Sequence, residues 1–78
     1  MKTTQYFEIT RKRPDRAEIQ DHWTELAVHT PDQQAVQADR RVLRWASIPE
    51  AQGRYLRVVL LKDSETAHNA FFDRRFTP

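Results

Sequence analysis

From Arg54 to Phe76 the chain reads RYLRVVLLKDSETAHNAFFDRRF, and this stretch gathers the side chains best suited to chemistry on a phosphate. Arg57 interrupts an apolar strand pattern. His68, Asn69, Asp73, Arg74 and Arg75 then fall within eight residues. A neutral imidazole near pH 7 can take or give a proton. A guanidinium fork pairs with two phosphate oxygens at once, which a lysine does not do. A chain of 78 residues has a thin core, since only about 60% of the unfolded surface is buried at such sizes. Titratable and cationic groups concentrated on its two most strand-like segments therefore mark a candidate site.

Each of these groups has a structural alternative. His68 can be a strand histidine that only packs. Asp73 can pair with Arg57 across a sheet, or cap the chain end, instead of orienting Arg74 or Arg75. Arg57 must be paired or open to solvent, because a buried unpaired guanidinium is costly. Arg44, one segment earlier, lies beside it in a suitable register, giving a cluster of Arg44, Arg57 and His68 on one face. Trp45 and Tyr55 could stack on bases, although a tryptophan in such a strand is more often core. His22 and His29 stand two helical turns apart, about 10 Å, too far to chelate one ion. HExxH, zinc-finger spacing, a glycine-rich phosphate loop and a Gly-x-Ser-x-Gly elbow are all missing. No metal and no cofactor is expected.

Punctuation and period define the elements that must position these residues. Residues 1–5 are expected to be loose. Tyr6–Thr10 (YFEIT) alternates like a short strand or extended lead-in, stopped by RKRPD, and Asp15 can cap a following helix. Ala17–His29 is predicted as that helix, with Ile19, Trp23, Leu26 and Ala27 on one apolar face and Thr30-Pro31-Asp32 ending it. Gln33–Ala38 reads as a weak strand and Asp39-Arg40 as a two-residue turn without the usual glycine. Arg41–Ile48 is a strand with Leu43 and Trp45 on one face and Val42, Ala46 and Ile48 on the other. Pro49–Gly53 loops, with Gly53 free to take a positive backbone angle. Tyr55–Leu61 is the most apolar strand, predicted to be central; Lys62–Glu65 turns, and Thr66–Phe72 is the last strand. Turns this short make the sheet antiparallel. The chain is thus expected to form a single α+β domain over residues 1–78, with one principal helix packed on an antiparallel sheet of three to four strands.

Composition narrows the partners. Charged residues make up 31% of the chain, yet the net charge is +2, so overall charge says little about nucleic acid. Its placement says more. Residues 15–25 carry Asp15, Glu18, Asp21 and Glu25 against Arg16, whereas residues 40–62 carry Arg40, Arg41, Arg44, Arg54, Arg57 and Lys62 against Glu50. One element is acidic and the sheet basic. Cysteine is absent, so no disulfide supports the thin core, and self-association into a homodimer is an expected remedy. No apolar run reaches the ~18 residues of a membrane span and the N-terminus lacks a signal peptide's apolar core. No membrane association and a cytoplasmic location are expected.

Four segments carry a resemblance: R-A-E-I at Arg16 to Ile19, Q-A-D-R-R-V-x-R-W at Gln37 to Trp45, Y-L-R-V-V at Tyr55 to Val59, and H-N-A-F-F-D-R-R-F at His68 to Phe76. Together they resemble a family of small prokaryotic toxin-like proteins, some of them found beside small antitoxin-like proteins. The order of strand, helix and arginine-bearing antiparallel sheet is distantly similar to the RelE/BrnT-like toxin superfamily. The resemblance implies an mRNA endoribonuclease that needs no metal, acts on RNA free or on the ribosome, and is neutralised by a bound antitoxin. Such an enzyme positions a ribose 2′-hydroxyl for attack on its own phosphate. Carried onto this chain, His68 is the base or acid, Arg57 with Arg74 or Arg75 holds the phosphate, and Asp73 orients them. Arg41, Arg44, Arg75 and Trp45 supply further RNA and phosphate contacts. The chain differs from the RelE pattern in lacking a tyrosine after its last strand and in having few lysines. Two functions of other classes stay open: a non-catalytic interaction module binding an acidic partner or a second copy, and an RNA-binding protein that does not cut.

Overall fold

The computed structural model describes residues 1–78. The protein is α+β, a four-stranded antiparallel sheet with two helices. In chain order it has α1 (Gln5–Thr10), α2 (Asp21–His29), β1 (Gln33–Val36), β2 (Val42–Ile48), a 3-10 turn (Pro49–Ala51), β3 (Arg54–Leu60) and β4 (Ala67–Phe72). The strands form a meander in the order β1-β2-β3-β4. Register is fixed by pairs such as Trp45 with Arg57 and Arg57 with Phe71. Between Val59 and Leu60 the β3–β4 pairing shifts, so that Val59 faces Asn69 but Leu60 faces Ala67. His68 is the extra residue of that bulge, a device that re-aims a side chain.

The sheet has two apolar faces of unequal size. Ile48, Leu56, Val58 and Leu60 are fully buried on the face covered by Phe7 of α1 and by Ala27 and Val28 of α2. Truncating one of these leucines to alanine is expected to cost about 2–5 kcal/mol. The other face carries a smaller cluster of Leu43, Trp45 and Val59, roofed by Tyr55 and by Phe76 from the C-terminal tail. This split follows the alternation read along β2 and β3.

Four expectations need correction. Tyr6–Thr10 is helical, not a strand. Thr4 caps it, its Oγ1 accepting from Phe7 N at 3.1 Å, and Phe7 and Thr10 fall one helical turn apart on the buried side. Residues 1–5 are bonded rather than loose: Thr4 N donates to Ala67 O at 3.0 Å and Ala67 N to Lys2 O at 2.9 Å, a parallel bridge along the β4 edge. The principal helix starts at Asp21, four residues later than predicted, because Gln20 is extended (ψ 146) and residues 12–17 are taken up by turns. Its buried side is therefore Thr24, Ala27 and Val28, with Trp23 packed beside them, and Leu26 is exposed. In the β1–β2 turn Arg40 takes the left-handed backbone (φ 71) that a glycine would hold without strain. Gly53 has the positive angle expected of it (φ 72).

No helix of the structure is long and apolar enough to cross a membrane.

Candidate functional site

The sheet face turned away from α2 is built in rows. One row runs Trp45, Arg57, Phe71 across β2, β3 and β4, and the next runs Leu43, Val59, Asn69. Arg41 lies two residues before Leu43 and so shares this face. The rows end at a concavity of about 340 Å³ lined by Tyr6, Gln37, Arg41, Arg57, Val59, His68, Asn69 and Phe71. That is the lower end of the size range of small-ligand clefts. β3 supplies the floor, the β1–β2 hairpin one wall, and the β4 bulge with α1 the other.

His68 is held from the N-terminal arm. Its Nδ1 is 3.0 Å from Thr4 Oγ1, and its ring stacks on Tyr6 with centroids 4.8 Å apart and an interplanar angle of 22°. Nε2 makes no hydrogen bond within the chain. Burial first, and then the positive charge of Arg41, push the imidazole below its ordinary value of 6.5. Both favour the neutral ring over the imidazolium.

Arg57 occupies the opposite end of the concavity. Its guanidinium lies between ring faces, 5.1 Å from the Phe71 centroid and 5.9 Å from that of Trp45. The side chain is only 26% exposed, yet it makes no hydrogen bond within the chain. Nε is buried without a partner, while Nη1 forms an ion pair with Asp73 Oδ2 at 3.6 Å, the pairing across the sheet that the sequence allowed. Buried guanidinium N–H groups are normally satisfied; this one is shut off from solvent, so the exposed part of the side chain that lines the concavity lies on its other atoms.

Asp73 is committed to the fold. Its Oδ2 accepts from Trp45 Nε1 at 3.0 Å and its Oδ1 from Arg75 N at 3.1 Å. Burial works to raise the carboxyl, but these two bonds and the charge of Arg57 outweigh it and hold it below the usual range. The Asp73 turn brings Phe76 back onto Trp45, with centroids 4.7 Å apart and nearly parallel, and onto Tyr55 at 5.0 Å. Trp45 is thus buried under Phe76 and offers no open ring face for a base.

The residues singled out from sequence separate accordingly. His68, Arg57 and Arg41 share the concavity. Arg44 does not join them. It lies on the helix-side face, where its Nε donates to Gln34 Oε1 at 2.7 Å and its Nη1 to Val28 O at 2.6 Å, satisfying a terminal carbonyl of α2. The β2–β3 register pairs Arg44 with Val58 and not with Arg57, which settles its face. Asp73 stands behind Arg57. Arg74 and Arg75 are exposed in the turn beyond the end of β4, with Arg74 beside Arg54 and Phe72, and neither lines the concavity.

Sequence reasoning missed Thr4 and Tyr6. Thr4 was legible as a cap three residues before Phe7, but the helix it begins is so short that alternation and helical period fit YFEIT equally well. The tie between Arg16 and Asn69 (Nη1 to Oδ1, 2.6 Å), which pins the segment before α2 to the β4 edge, also left no local signal.

No protein family, curated protein or solved structure matches the chain in comparison.

Proposed function

We propose that this protein is a toxin-like, metal-independent endoribonuclease whose reaction centre is the concavity between His68, Arg41 and Arg57. The carrying observation is that Arg57, held by Asp73 at 3.6 Å from behind, lines the same cleft as His68 and a second arginine, Arg41. An RNA phosphate pairs with the part of Arg57 that faces the cleft. Arg41 and Arg57 flank it and stabilise the charge that builds on its oxygens. The adjacent 2′-hydroxyl gives its proton to Nε2 of His68 and its oxygen bonds to phosphorus. The bond to the 5′-oxygen breaks, and that oxygen takes a proton from water. The products are a 2′,3′-cyclic phosphate and a 5′-hydroxyl. For this step the neutral ring carries its proton on Nδ1, donated to Thr4 Oγ1.

Tightly controlled expression tests the proposal. Wild type is expected to arrest growth with loss of cellular RNA. His68→Ala and Arg41→Ala are expected to relieve both while remaining folded. Folded wild type that leaves growth and RNA intact, free of any antitoxin, contradicts it.

A second function is favoured by β1, an edge strand exposed along its whole length with Val36 64% exposed. Such an edge can add a strand from an antitoxin or a second copy. Sedimentation across a wide concentration range tests the second copy, and an unchanging monomer removes it.

A further inference from the structure

Tyr6 has no part in the proposed proton transfer, yet it forms the lip of the concavity. Two features distinguish it from an ordinary surface tyrosine. The helix that carries it is fixed at both ends, by the Thr4 cap and by ion pairs of Arg11 with Glu8 and with Asp21 at the start of α2. One ring face is held against His68, while the residue as a whole is 47% exposed and no other ring or guanidinium stacks on it. The other aromatics nearby are occupied. Phe71 lies under both Arg16 and Arg57, and Trp45 lies under Phe76.

From this we infer that Tyr6 is a base-stacking platform, and that the site takes an unpaired nucleotide whose base lies on Tyr6 while its phosphate lies between Arg41 and Arg57. The inference rests on the proposal that the cleft binds RNA, and it names the substrate class as single-stranded. A base inside a duplex has both faces covered by its neighbours, so only a splayed base can add to the His68–Tyr6 stack. Every base has a π-face, so the platform selects for unpaired structure more than for sequence.

The test uses the full chain and a fluorescently labelled, mixed-sequence 2′-O-methyl RNA strand, which cannot be cut because its 2′-oxygens are blocked. Its affinity is compared with that of an abasic strand of the same phosphate count and with the annealed duplex. Wild type and Tyr6→Phe are expected to bind the strand with bases roughly tenfold or more tighter than the abasic strand, and to bind the duplex no better than the abasic one. Tyr6→Leu keeps an apolar contact with His68 but has no ring, and it is expected to lose the difference. Base preference unchanged in Tyr6→Leu, or missing from wild type, overturns the inference. Cleavage of unmodified RNA is scored separately. A protein that binds unpaired bases through Tyr6 and never cuts refutes the ribonuclease and leaves the platform standing. One that cuts without base preference does the reverse, and one that neither binds nor cuts refutes both.

Discussion

His68 and Asp73 are the two titratable residues of β4 and its exit that could serve a phosphate, and their surroundings give them opposite roles. Asp73 is 13% exposed and bonded to Trp45 and to the backbone of Arg75, with Arg57 alongside. Removing it leaves an indole N–H and a buried guanidinium without partners. Asp73→Ala is therefore expected to lower stability by about 2–4 kcal/mol, measured as a shift of the urea midpoint. His68→Ala, by contrast, removes a half-buried ring and should cost about 1 kcal/mol or less. The histidine also couples stability to pH. Its folded pKa lies below the 6.5 of the free side chain, so the unfolded chain takes up the proton first. That contribution is complete above pH 6.5 and is lost as pH falls through the lower folded value. Urea midpoints measured downward from pH 7 should fall in wild type and fall less in His68→Ala; equal slopes would show that His68 is not the group responsible. Sequence alone could place an imidazole and arginines near one another in the chain. It could not decide between Arg41 and Arg44, because a one-residue change of register reverses the face of every side chain.

At the scale of elements, the three later strands were readable because β-branched and aromatic residues alternate between definite turns, and β2 and β3 start and end within a residue or so of their predicted limits. α1 was not readable. Six residues carry under two turns of period, and its stability comes from Phe7 in the core and from the Thr4 cap rather than from propensity. The C-terminal tail was half readable. The two phenylalanines of β4 were expected to point to opposite faces and do so, but the return of Phe76 onto Trp45 depends on the turn at Asp73. Phe76 stands in for a second helix layer on this face. Phe76→Ala is expected to cost about 2–3 kcal/mol and to shift Trp45 emission to the red as water reaches the indole. A variant with unchanged emission and stability would mean that the tail does not cover Trp45 in solution.

For the molecule as a whole, the division of labour between the two sheet faces connects fold to function. The helix-side face holds the fully buried aliphatics, while the opposite face has a smaller aromatic cluster and an uncovered end where arginines, a histidine and an exposed tyrosine meet. Short arms at both chain ends complete that face: the N-terminal one fixes His68, and the C-terminal one shields Trp45. These long-range ties were the least legible part of the sequence, since each joins residues more than twenty positions apart. The most direct measurement is cleavage of a defined single-stranded RNA by the purified protein, free of any antitoxin, in excess chelator, with end-group analysis of the fragments. Fragments ending in 2′,3′-cyclic phosphate, made by wild type and not by folded His68→Ala, are the expected result. Intact RNA with both proteins, or equal cleavage by both, would contradict the assignment of the concavity as a ribonuclease centre.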